Sequence, residues 1–173
     1  MHPNPSAIFG VYLRKHIIIM KNFLLFLVLL PVLGCNKQED TAPSPETFDY
    51  FIFGTAAGKC TGNCVTLYKL EGQNLYEDDN ANYLMLSSQD FPFQTTSLSA
   101  EKVALAETLQ AQIPANLFEE PDGNVGCPDC YDQGLFYVKI KAGDTVREWR
   151  IDRAVQEYTA YCDLISTTLD QLK

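Results

Sequence analysis

Histidine is nearly missing from this chain. Its two copies, His2 and His16, stand at the very start, and none follows. Everything beyond residue 16 must work without imidazole, which excludes Ser-His-Asp and Cys-His catalysis and every zinc site built with histidine. Basic residues are scarce as well: 13 Lys+Arg stand against 22 Asp+Glu, a net charge of −9. A field of that sign disfavours nucleic acid and anionic membrane surfaces as partners. Long apolar runs are also lacking. Residues 23–33 fall short of the roughly 20 apolar residues that a membrane-spanning helix requires. With no catalytic constellation in view, the chain is not expected to be an enzyme.

What is present begins with that short run. It has the length of a signal-peptide h-region, with Lys21 ahead of it and Gly34-Cys35 behind. Val32-Leu33-Gly34-Cys35 resembles a lipobox, at which the Cys thiol receives a diacylglycerol and cleavage makes that Cys the new N-terminus. The resemblance implies lipidation of Cys35 and removal of residues 1–34. Met20 opens the more compact signal, so residues 1–19, with Arg14-Lys15-His16, are expected to be a mis-assigned extension. Residues 1–34 hold three of the basic residues and none of the acidic ones, so without them the charge falls to −12. Residues 35–47 then form a lipidated tether, polar and broken by Pro43 and Pro45. Lys37 to Asp40 resembles the short acidic signals that export some Bacteroidota lipoproteins to the cell surface. The implied place is the cell envelope, anchored by lipid to the outer membrane and facing either the periplasm or the surface.

Residues 48–173 have the size of one ordinary domain. Residues 48–55 are aromatic and β-branched and read as a strand. Residues 65–71 read as a second, with Val65, Leu67 and Lys69 on one face and Thr66, Tyr68 and Leu70 on the other. Gly72-Gln73-Asn74 turns it back into residues 75–77. Residues 83–86 read as a short strand. Ser99 is a plausible N-cap for a helix over residues 100–112, which Pro114 stops. Residues 135–141 and 145–151 form the strongest hairpin signal, joined through Ala142-Gly143-Asp144. Asp152 is placed to cap a last helix whose apolar positions are Val155, Tyr158, Cys162, Ile165, Leu169 and Leu172, at intervals of 3, 4, 3, 4, 3. The expectation is an α+β fold, an antiparallel sheet of about four to five strands with two helices on one face, in the order β-ββ-α-ββ-α. Cysteine loop, strand, glycine turn, strand and helix follow one another twice, a coarse internal repetition.

Six cysteines fit a chain that folds outside the cytoplasm. Cys162, on an apolar stripe, reads as a small buried hydrophobe. The informative set is Cys60-x3-Cys64 and Cys127-x2-Cys130, open to three readings. Structural disulfides are favoured in an oxidising compartment, and local pairs are preferred because each couple shares one loop and meets first during export. A zinc or copper(I) site with four thiolate ligands is the alternative, since two close cysteine pairs suit soft metals. Thiol–disulfide exchange at Cys127-Pro128-Asp129-Cys130 has the right spacing but no following helix to lower the thiol pKa. Glu77-Asp78-Asp79, Glu119, Glu120, Asp122, Asp129 and Asp132 read as solvated acidic loops, because the spaced ligands of a calcium loop are missing.

Taken whole, residues 48–173 resemble a diffuse group of uncharacterised bacterial lipoproteins. The likeness is carried by Phe51-Ile52-Phe53-Gly54, Cys60, Cys64-Val65-Thr66-Leu67-Tyr68, Pro128-Asp129, Asp132-Gln133-Gly134 and Trp149-Arg150-Ile151-Asp152. It brings no activity with it. The expected role is a tethered, non-enzymatic binding or structural module, held to the membrane by lipid on Cys35. Its partner would be an envelope protein or a small ligand, with no cofactor unless the four loop cysteines hold zinc or copper.

Overall fold

A computed structural model describes residues 48–62, 64–88 and 90–173. Cys35, the leader and the tether lie outside the described residues. Strand β1 (Tyr50–Ala56) is central in sequence pattern and in space: it pairs antiparallel with β2 (Val65–Glu71) on one side and with β5 (Leu135–Ala142) on the other. Beyond β2 lies β3 (Asn74–Glu77), and beyond β5 lies β6 (Thr145–Asp152), each joined by a tight turn with a glycine, Gly72 or Gly143, in the left-handed region. A short strand β4 (Gly123–Val125) runs parallel to β6 and completes the order β3-β2-β1-β5-β6-β4.

The fold class is α+β, and the sheet corrects the expected four to five antiparallel strands: it has six and is mixed. The addition is β4, directly after Glu119, Glu120 and Asp122, which read as part of a solvated acidic loop. Gly123 and Asn124 are poor strand formers, so this pairing depends on the β6 edge waiting for it rather than on local preference.

Strand alternation divides the core in two. Phe51 and Phe53 of β1, Tyr68 and Leu70 of β2, Phe136, Val138 and Ile140 of β5, and Trp149 and Ile151 of β6 face one side. There they meet α2 (Ala100–Ala111) and α3 (Thr159–Leu172). Helix α2 presents Val103, Ala106 and Leu109; α3 presents Tyr161, Cys162, Ile165 and Leu169. Trp149, fully buried, receives the edge of Phe118 at 5.7 Å and the Arg147 guanidinium 5.0 Å above its ring.

The other face carries Ile52, Ala56, Val65, Leu67, Leu135 and Tyr137. A loop over residues 78–93 covers it, supplying Ala81, Leu86 and Phe91, the last edge-on to Tyr137 at 5.3 Å. Asp78 anchors the start, accepting from the amides of Leu67 and Ala81 at 2.8 and 2.9 Å. The ends are tied by the Asp79 amide to the Pro92 carbonyl and the Gln94 amide to the Glu77 carbonyl, both 2.9 Å. This loop contains α1 (Met85–Ser88), where a short strand was expected. A run of four apolar residues does not discriminate helix from strand, and here the Met85, Leu86 and Ser87 amides close local turns onto residues 82–84.

The last helix starts later than its stripe suggests. Val155 precedes a single 3-10 turn at Gln156–Tyr158, and α3 begins at Thr159. Asp152 does not cap it: it is the last residue of β6 and accepts from the Ala154 amide at 2.9 Å. Ser99 stands at the N-cap position of α2 but makes no side-chain cap hydrogen bond. No helix among the described residues is long and apolar enough to cross a membrane.

Candidate functional site at the cysteine-loop end of the sheet

Topology brings the two cysteine loops together. Strands β2 and β5 both pair antiparallel with β1, and both begin opposite Ala56, its last residue. The loop after β1, residues 57–64, and the loop before β5, residues 126–134, therefore leave the sheet at the same end. The doubled order of loop, strand, turn, strand and helix has this spatial meaning, with β1 as the shared axis.

Each loop closes on itself. Cys60 and Cys64 are at disulfide distance with Cα atoms 5.7 Å apart, and Cys127 and Cys130 likewise at 5.6 Å. Both are the local pairings. Cys162 stands apart on α3, buried and unpaired, and burial pushes its thiol up to about 11.

Asp129, between the second pair of cysteines, ties the loops to each other. Its Oδ2 accepts from the Gly58 amide at 2.6 Å and its Oδ1 from the Gly134 amide at 2.8 Å, and the Tyr83 hydroxyl faces the same carboxylate. Desolvation alone would raise its pKa, but the two amides, the hydroxyl and nearby Lys59 outweigh that and hold the carboxyl below its usual range. The Tyr83 hydroxyl is pushed the other way, by desolvation and by the facing Asp129 carboxylate. At residue 58 a Cβ would stand 2.8 Å from Asp129 Oδ2 and 3.3 Å from the Tyr83 ring, so a larger residue there would push the Asp129 carboxylate aside. Asp129 itself has φ +59°, in the left-handed region that Asp tolerates. Lys59 and Asp132 add an exposed ion pair at 3.2 Å, which contributes little.

A second carboxylate fixes the loop to the sheet. Asp152 Oδ2 accepts from the Cys127 amide at 3.1 Å, and Oδ1 from Gln133 Nε2 at 3.2 Å. Gln133 Nε2 also donates to the Cys127 carbonyl at 3.2 Å. The Ala154 and Cys127 amides and the Gln133 side chain more than offset desolvation, so the Asp152 carboxyl lies below its usual range.

Beside these loops is a cavity of about 410 Å³. Ala57, Gly58 and Cys64 line one side; Ala81, Asn82, Tyr83 and Leu84 line another. Leu84 is 82% exposed, and Tyr131 on the second cysteine loop is 88% exposed. These two and Val146 are the large exposed apolar residues among those described, and two of the three lie on the segments of this end.

Further down the same sheet face is a buried polar group. Glu148 is 3% exposed, opposite Lys139 in the β5–β6 register, and Arg150 is opposite Tyr137. Arg150 Nε stands 3.3 Å from Glu148 Oε1 without hydrogen-bond alignment, and the Tyr137 hydroxyl leans on the same carboxylate in the same loose way. Desolvation raises the Glu148 carboxyl and lowers the Lys139 ammonium.

Of the residues read as candidates, Cys60, Cys64, Cys127 and Cys130 are thus assembled at one end of the sheet, and Cys35 lies outside the described residues. Among the described residues no group of three or more His, Cys, Asp or Glu side chains is arranged to hold a metal ion. The acidic residues have other partners: Asp122 meets Arg147 Nε at 2.5 Å and Glu120 accepts from the Tyr158 hydroxyl at 3.0 Å. Sequence reasoning missed Tyr83, Leu84, Asp152 and Glu148. Only Asp152 carried a signal, as an acid directly after a strand, and it was assigned to the wrong amides. No protein-family model, curated protein or solved structure matches this chain.

Proposed function

We propose that this protein is a lipid-anchored envelope module that binds a partner or small ligand at the cysteine-loop end of its sheet and performs no chemistry on it. One observation carries the reading. The cavity beside Tyr83 and Leu84 is lined on one side by the first cysteine loop, which is closed by its own cysteine pair and tied through the Asp129 carboxylate to the second closed loop. Such a site is preorganised, so binding there loses little loop entropy. The anchor is proposed from the lipobox resemblance at Cys35, and local cysteine pairs suit the oxidising compartment to which that signal leads. The occupant would be an apolar or aromatic group of a small ligand or envelope protein, since the lining is mostly small and apolar. A surface of charge −12 disfavours nucleic acid.

A thiolate zinc or copper(I) site on Cys60, Cys64, Cys127 and Cys130 is the second reading, favoured by the direct contact of the two loops. It requires both pairs to open. Intact-mass measurement of the purified protein, with and without reductant and alkylating agent, separates the two. The binding module shows no alkylatable loop thiol until reductant is added and carries no metal. Four alkylatable loop thiols in unreduced protein, together with bound zinc or copper, would sink it.

A further inference from the structure

We propose that the Cys127–Cys130 pair is a redox latch for the cavity, acting through Asp129 on walls that neither cysteine lines. The proposal rests on the cavity being the binding site and adds how that site would be regulated. Three segments meet at Asp129. Gly58 comes from the first cysteine loop, Tyr83 from the loop over the second sheet face, and Gly134 from the end of the second cysteine loop, just before β5. Two of these, Gly58 and Tyr83, line the cavity. The carboxylate that holds them lies inside the four-residue ring closed by Cys127 and Cys130.

The two ends of that ring are held unequally. Cys127 is fixed to the sheet through Asp152 and Gln133. Cys130 has, besides the disulfide, a 3.3 Å turn hydrogen bond from its amide to the Cys127 carbonyl. Opening the disulfide leaves Cys127 in place and releases the side on which Asp129 stands in its left-handed conformation. Both cysteines are exposed and accessible to a small dithiol. In the reaction a dithiol thiolate attacks one sulfur and the S–S bond breaks. The second thiol of the reagent then attacks the reagent's own sulfur in the mixed disulfide and expels the remaining protein thiolate. Cys127 and Cys130 gain two electrons and two protons and become thiols, and the dithiol becomes a cyclic disulfide. Without the ring, Asp129 no longer holds Gly58 at hydrogen-bond distance or its carboxylate against Tyr83, and the cavity wall loosens.

The test reads hydrogen exchange of the Gly58 amide in the full-length chain, with and without dithiothreitol. It compares wild type, Cys60→Ser/Cys64→Ser, in which only the second pair is reducible, and Asp129→Ala. Reductant should speed Gly58 exchange about tenfold or more in wild type and in the cysteine variant, as loss of a charge-assisted hydrogen bond implies. In Asp129→Ala the amide should already exchange fast and ignore the reductant, while Val138 in the central strand stays protected throughout. Unchanged Gly58 exchange under reductant overturns the proposal. So does equal acceleration in Asp129→Ala, or loss of Val138 protection on reduction, which would mean global unfolding. No ligand enters the measurement, so a failed latch leaves the binding reading standing, and a failed binding reading leaves the latch measurable.

Discussion

Single carboxylates do different work here according to what surrounds them. Asp152 and Asp129 are ringed by donors and lie below the usual carboxylate range, whereas Glu148 is desolvated with poorly aligned partners and lies above it. For the first two, the unfolded chain takes up protons at a higher pH than the native one. Their contribution is complete above the unfolded value of about 4 and is lost as pH falls through the depressed native values. Asp152→Asn places an NH2 against donors and should cost about 1–3 kcal/mol at neutral pH, read by urea denaturation. The variant should also lose stability less steeply than wild type as the pH is lowered from 5. An equal slope would show that Asp152 is not the group responsible. Cys162 gives a second prediction at this scale. With its thiol raised to about 11 and its side chain buried, it should resist iodoacetamide in folded protein and react once the protein is denatured. Its burial was legible from its place on the α3 stripe. The roles of Asp129 and Asp152 were not, because a carboxylate's partners are amides that adjoin it only after the chain has folded.

Among the elements, those with local periodicity were legible and those made by docking were not. The alternation of Val65 and Leu67 against Tyr68 and Leu70 correctly divides β2 between the two faces, and the turns at Gly72 and Gly143 fall where expected. Strand β4 and helix α1 have no such signal: three residues of Gly-Asn-Val and four of Met-Leu-Ser-Ser are too short to show a period. The start of α3 is a measurable boundary. Ile165 is fully buried within the helix, while Val155 lies before it and is half-buried. Ile165→Ala should cost about 2–5 kcal/mol and Val155→Ala less than about 1.5 kcal/mol, compared by thermal or urea unfolding. Similar losses at the two positions would restore the longer helix that the stripe suggested. The cysteine loops are a milder case. A ring of four or five residues removes little unfolded-chain entropy, about 2 kcal/mol for each in the chain-entropy model. Reduction should therefore lower the melting temperature while leaving the circular dichroism of the sheet and helices intact at room temperature.

At the scale of the whole molecule, charge and anchor make opposed demands, and that opposition is testable. Beyond residue 34 the chain carries −12, and an anionic bilayer repels such a body most strongly at low salt. Electrostatic attachment would require an excess of basic over acidic residues, which this chain does not have. If the protein is held at a membrane, the lipid proposed on Cys35 must hold it. Hydrophobic insertion of acyl chains contributes about 0.8 kcal/mol per buried CH2 and does not depend on counter-ions. Wild-type protein should therefore stay in the membrane fraction in both low and high salt, with a mass showing removal of residues 1–34 and added lipid. Cys35→Ala should appear in the soluble fraction, or remain as unprocessed precursor that the intact mass identifies by its retained leader. Retention of Cys35→Ala with normal processing would refute lipidation. Release of wild type by salt alone would mean that a basic partner, not a lipid, holds it, and the binding end with its cavity would then be the place to look for the contact.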